Sequence, residues 1–133
     1  MTLPEEGYLL RIFIGEGDKY AGEPLYEWIV VQARAQGLAG ATVLRGIMGF
    51  GAESRHIHTF KLTRLSEDLP VIIEIVDTAE KLEKFLASIE DKIEAGLVTL
   101  EKAHVRFYHS SVSKKRAGSS QPVENKPPTP GES

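Results

Sequence analysis

Three arginines, three glycines and two histidines gathered between positions 45 and 64 are the residues of this sequence best suited to chemistry. Arg45, Arg55 and Arg64 each carry a planar guanidinium, whose N–H groups match phosphate oxygens in pairs. Arg45 stands between Leu44 and Gly46 in an apolar run, so its charge needs a partner: an anion from outside, or Glu74 or Glu101 within or between chains. Arg55 also reads as a solvated loop residue. Gly46, Gly49 and Gly51 lack a Cβ, so backbone N–H groups beside them could close on an anion and form a small nest. The same glycines would equally serve a bend where a strand becomes a loop. His56 and His58 point the same way in extended chain and could share a metal, with Glu53 or a neighbouring chain as a further ligand. Without such a framework they are ordinary polar residues. Glu16, Asp18 and Lys19 follow the first strand at its C-terminal end, where open α/β sheets bind ligands; the alternative is a polar turn.

Other chemistry is excluded or poorly supported. Cysteine is absent, which removes disulfides, thiolate metal sites and cysteine nucleophiles. Glu67 and Asp68 are adjacent and diverge in extended chain, so they make a poor acid–base pair. Ser54 with His56 is too generic for a nucleophile and its base. These residues point to a non-enzymatic protein. A formal net charge of −3 brings no general attraction to nucleic acid or anionic lipid. No run approaches the roughly 20 apolar residues that span a bilayer. The start Met1-Thr2-Leu3-Pro4-Glu5-Glu6 lacks the basic region and apolar run of a secretion signal, so a cytoplasmic location is expected.

The elements that must position these residues follow from periodicity. At 133 residues and 41% hydrophobic content, one domain with a modest core is expected. Leu10, Ile12 and Ile14 alternate with Arg11 and Phe13 as in a strand, broken by Gly15-Glu16-Gly17-Asp18-Lys19. Pro24 reads as a first helical residue and Gly37 as a helix stop, with Leu25, Trp28, Ile29 and Ala33 as the apolar stripe between them. Val30 and Val31 add apolar surface beyond that stripe, a hint of a subunit interface. Ala41 to Met48 predicts a second strand, Gly49 to Ser66 a polar loop, and Leu69 to Val76 a third strand. Asp77 and Glu80 have capping-box spacing before a helix carrying Leu82, Phe85, Leu86, Ile89 and Ile93, which stops near Gly96. Lys102 to His109 predicts a last strand, with His104 and His109 toward solvent. Positions 1–7 read as an N-terminal tail, 8–109 as the folded domain, and 110–133 as a disordered, Pro-rich tail in which Lys114-Lys115-Arg116 is a solvated basic cluster.

This order, β-α-β twice, predicts an α+β ferredoxin-like βαββαβ fold with one antiparallel sheet and both helices on one face. The uncovered face would carry apolar side chains. An oligomer, most simply a trimer, would hide them.

Read in order, Leu9-Leu10-Arg11-Ile12-Phe13-Ile14-Gly15-Glu16, Gly22-Glu23-Pro24-Leu25-Tyr26-Glu27, the run from Gly37 through Gly51, Ile57-His58-Thr59 and Arg64-Leu65-Ser66-Glu67-Asp68-Leu69-Pro70 resemble the bacterial and archaeal domain-of-unknown-function family 190, whose members are described as PII-like. The likeness spans Leu9 to Tyr108. It implies a homotrimer of ferredoxin-like subunits that signals by holding an adenine nucleotide (AMP, ADP or ATP) in clefts between subunits. It also implies that a loop after the second strand meets a partner, such as a membrane transporter or an enzyme. The candidate ligand residues of this chain are Arg45, Gly46, Gly49, Phe50, Gly51, Arg64, Glu16 and Lys19, the arginines from their chemistry and Glu16 and Lys19 from their place after the first strand. The implied partner loop, 49–66, holds Ser54, Arg55, His56 and His58. A PII phosphate loop, glycine-rich and lysine-containing, would precede the last strand. Here that place reads Ala95-Gly96-Leu97-Val98-Thr99-Leu100-Glu101-Lys102, which leaves room for a monophosphate, a diphosphate or a different mode of holding. Two further readings stay open: a divalent-metal-binding trimer of the cation-tolerance type, and an adaptor that works through contacts alone.

Overall fold

A strand of alternating Leu10, Ile12 and Ile14 has one dry face, and two helices supply the cover it needs. The computed structural model describes residues 6–51, 58–59 and 68–111. In chain order it comprises β1 (Glu6–Gly15), β2 (Lys19–Tyr20), β3 (Glu23–Pro24), α1 (Leu25–Ala35), β4 (Thr42–Arg45), β5 (Met48–Gly49), β6 (His58–Thr59), β7 (Pro70–Asp77), α2 (Ala79–Ile89), a 3-10 turn at Glu90–Lys92, and β8 (Leu97–His104). Strands β4, β7, β1 and β8 form an antiparallel sheet in that spatial order. This is the ferredoxin-like arrangement expected from the order of elements. Residues Glu6–His104 make one compact unit. Of the remainder, 105–111 are described, with Phe107 and His109 stacked ring on ring at 4.9 Å. The tail from 112 on, including Lys114-Lys115-Arg116, lies outside the described residues.

The core joins one face of the sheet to both helices. Leu10, Ile12 and Ile14 of β1 and Val71, Ile73 and Ile75 of β7 meet Leu25, Ile29 and Ala33 of α1 and Leu82, Phe85 and Ile89 of α2. The helical residues recur every three or four positions, which puts them on one stripe. Trp28 and Val30 also pack against this core, so Val31, 60% exposed, is what remains of the apolar surplus on α1.

Several boundaries differ from the sequence reading, each for a local reason. Pro24 pairs with Lys19 in the β2–β3 ribbon and caps α1, so the helix begins at Leu25. At the other end Gly37 takes φ +79° while its N–H reaches Arg34 and that of Leu38 reaches Ala33, a Schellman ending. The N-cap of α2 is Thr78, whose hydroxyl accepts from the Lys81 N–H at 3.2 Å, not Asp77. Asp77 is fully buried and accepts from the N–H groups of Ala39 and Thr78 at 2.9 and 2.7 Å, tying the end of β7 to the chain before β4. Helix α2 ends at Ile89, short of the expected Ile93. The largest shift is at β8, which runs from Leu97 to His104 and leaves 105–109 outside it. Pairing with eight residues of β1, from Glu6↔His104 to Phe13↔Leu97, selects this register over the stronger alternation downstream.

Candidate functional site

Among the described residues, both helices pack on the first face of the sheet and none covers the second. Register places Leu44, Ile72, Phe13 and Leu97 side by side across all four strands as one apolar row. Leu44 and Leu97 are 44% and 56% exposed, so much of this row lies open to solvent. Beside the row lies a charged cluster. Arg11 donates to Glu74 at 2.9 Å and to Glu101 at 3.1 Å, with the first pair about one-third exposed. Both acids suggested as partners for Arg45 are therefore engaged by Arg11.

At the end of the sheet where β1 stops and β7 and β8 begin, the chain encloses a cleft of about 450 Å³. Phe13, Leu69, Pro70 and Leu97 supply its apolar wall, and Gly49, Phe50 and Gly51 line it from the β5 side. Gly15 and Gly96 narrow the backbone around it, and Asp18 and Asp68 are its charged residues. Gly96 is required: a Cβ there would sit 2.7 Å from the Phe13 carbonyl oxygen. Phe13 and Leu97 belong to both the cleft and the exposed apolar row. The cleft therefore opens at the edge of the uncovered face.

The turn after β1 is held by carboxylates. The Gly15 N–H donates to Asp18 at 3.0 Å, and the Gly17 N–H donates to Asp68. Glu16 donates its N–H to the Leu69 carbonyl at 2.8 Å. A methyl group at Gly15 would overlap the Asp68 carboxylate, so glycine at this position is what lets the acid reach the turn. Burial pushes the Asp18 carboxyl above the usual range; the Gly15 hydrogen bond works against this, and the nearby charges of Asp68 and Glu94 add to it.

The expected ligand residues divide into three groups. Gly49, Phe50 and Gly51 line the cleft, and Phe50 is 72% exposed. Glu16, Arg45 and Gly46 adjoin it: Arg45 pairs with Glu16 at 2.6 Å, and the Gly46 N–H is bonded to the Pro70 carbonyl at 2.7 Å. A Cβ at Gly46 would lie 2.8 Å from Pro70 Cγ, so this glycine serves a close approach of two backbones. Lys19 is exposed in β2 and does not line the cleft. Arg64, Ser54, Arg55, His56 and Glu53 lie outside the described residues, as does the side chain of His58, whose backbone pairs with Gly49. Among the described residues no group of three or more histidine or acidic side chains is placed to hold a metal. Sequence reasoning missed Asp68 as a partner of the first turn. Only the register reveals it: Gly15 pairs with Pro70, which brings the residue two positions earlier onto Gly17.

Residues 7–105 match the model of the family DUF190, described as "Uncharacterized ACR". The chain belongs to this family. Among its relatives, a UPF0166 protein of Aquifex aeolicus is 43% identical over 99 residues, covering 74% of this chain and 92% of the relative. A UPF0166 protein of Methanocaldococcus jannaschii is 40% identical over 98 residues, covering 73% and 89%. Neither name assigns a reaction. This DUF190 chain also shares its fold with CPII, a nitrogen regulatory PII-like protein from Thiomonas intermedia K12 whose structure was solved with ADP, AMP and bicarbonate. The TM-score is 0.58 at 19% identity, covering 75% of this chain and 88% of CPII. A PII-like signaling protein from Thermus thermophilus aligns with a TM-score of 0.54 at 15% identity, covering 75% and 89%. The DUF190 fold is therefore PII-like. Among the described residues no helix is long and apolar enough to cross a membrane.

Proposed function

We propose that this chain is a non-enzymatic PII-like regulatory subunit, which assembles as a trimer and binds an adenine nucleotide at clefts completed by neighbouring copies. The observation that carries this reading is that Phe13 and Leu97 serve both the cleft and the exposed apolar row. A second copy that covered the row would stand at the mouth of the cleft and complete it. The size suits a small ligand, since typical ligand pockets hold about 300–1,000 Å³. Phe50 offers a flat apolar surface to a base, and Arg45 an exchangeable guanidinium to a phosphate. The ADP and AMP bound in CPII support the ligand class. The segment 49–66 begins at the cleft wall, so a ligand there is positioned to favour one state of that segment and pass a signal to a partner. Isothermal titration of the full chain with AMP, ADP, ATP and cyclic nucleotides tests the reading. Saturable binding of at least one is expected, weakened by Arg45→Ala. Flat traces for all of them on verified oligomer would overturn it.

A further inference from the structure

The two carboxylates of the cleft occupy positions that an oxyanion would use. Gly15 and Gly17 present their N–H groups to Asp18 and Asp68. The seat is built for an approaching anion: a Cβ at Gly15 would overlap the Asp68 carboxylate, and one at Gly17 would lie 3.2 Å from Asp68 Oδ1. Empty volume adjoins it, because Gly15, Asp18 and Asp68 all line the 450 Å³ cleft. The carboxylates also oppose one another, with Asp68 from the chain before β7 and Glu94 from the turn before β8 both acting on Asp18. Asp68 holds only the Gly17 N–H, and does so against the like charge of Asp18, which itself holds the Gly15 N–H; the Asp68 contact is the one open to exchange.

We propose that the Gly15–Gly17 turn is an oxyanion seat, closed in this state by the chain's own Asp68 carboxylate, and that phosphate or carboxylate groups enter it by displacing that carboxylate. The tether gives Asp68 a high effective concentration, so external anions compete weakly until it is removed or neutralised. A proton on Asp18, whose carboxyl is held above the usual range chiefly by burial, lowers the negative charge around the seat, so occupancy by an external anion rises as pH falls. This extends beyond nucleotide sensing and does not depend on it, because inorganic phosphate alone is a sufficient probe.

The test uses the ¹⁵N-labelled full chain, native and Asp68→Ala, titrated at constant ionic strength with phosphate, with acetate and with ADP. In Asp68→Ala the Gly15 and Gly17 amide signals are expected to move with phosphate or acetate, at an affinity at least about tenfold above native. A response to ADP alone would assign the seat to nucleotide phosphate, and a response to all three to oxyanions in general. The native chain is expected to bind acetate more tightly under mildly acidic than under neutral conditions, a dependence that Asp18→Asn flattens. Gly17→Ala in the Asp68→Ala background is expected to abolish the gain. If Asp68→Ala does not fold, the isosteric Asp68→Asn decides, with binding above native expected. Folded variants whose Gly15 and Gly17 amides respond to none of the three anions, or no more than native, would overturn the proposal.

Discussion

At the residue scale the balance of charge around the first turn governs behaviour with pH. Folded Asp18 holds its proton more tightly than the unfolded chain does, chiefly because it is partly buried and also because Asp68 and Glu94 are close. Folding therefore takes up a proton between the ordinary carboxylate pKa and the raised native one. The contribution to stability is complete below the ordinary value and is lost as pH rises through the native value. Asp18→Asn keeps an oxygen for the Gly15 N–H and removes the charge. Its thermal midpoint is expected to equal or exceed that of the native chain at neutral pH, with a smaller loss on going from mildly acidic to neutral conditions. A midpoint several degrees lower at neutral pH would show that the charge is needed there.

The elements show which parts of the fold could be read in advance and which could not. Leu10, Ile12 and Ile14 of β1, Leu25, Ile29 and Ala33 of α1, and Leu82, Phe85 and Ile89 of α2 report their own burial by spacing, and both helix faces follow from the latter two sets. The ends resisted for physical reasons. Strand β8 has polar Lys102 and His104 on the face where Val98 and Leu100 are apolar, so its alternation fades and only pairing with β1 defines it. The β2–β3 ribbon is two residues per strand and carries no period at all. In the cleft, Gly49, Phe50 and Gly51 were legible from the family pattern. Asp68 and Gly96 were not, because their roles arise from contacts across about 50 and 80 positions of chain. Gly96→Ala places a methyl group against the Phe13 carbonyl and must displace the start of β8. The expected cost is about 1–3 kcal/mol, read as a lower urea midpoint. An unchanged midpoint would mean that the loop before β8 yields freely.

At the scale of the whole molecule, one sheet face is covered by helices and the other carries the row Leu44, Ile72, Phe13 and Leu97. Burying such a row against a like surface contributes about 25 cal/mol for each Å² of apolar area removed from water. In the proposed trimer that row is the contact between copies, and the cleft at its edge is the ligand site. Native mass spectrometry of the full chain and of Phe13→Lys, each with and without ADP, tests this most directly. The native chain is expected at three times its 14.7 kDa mass with ADP retained, and Phe13→Lys as a folded single chain with none. A native chain that stays single while folded, or a Phe13→Lys single chain that holds ADP as firmly as the native protein, would contradict it.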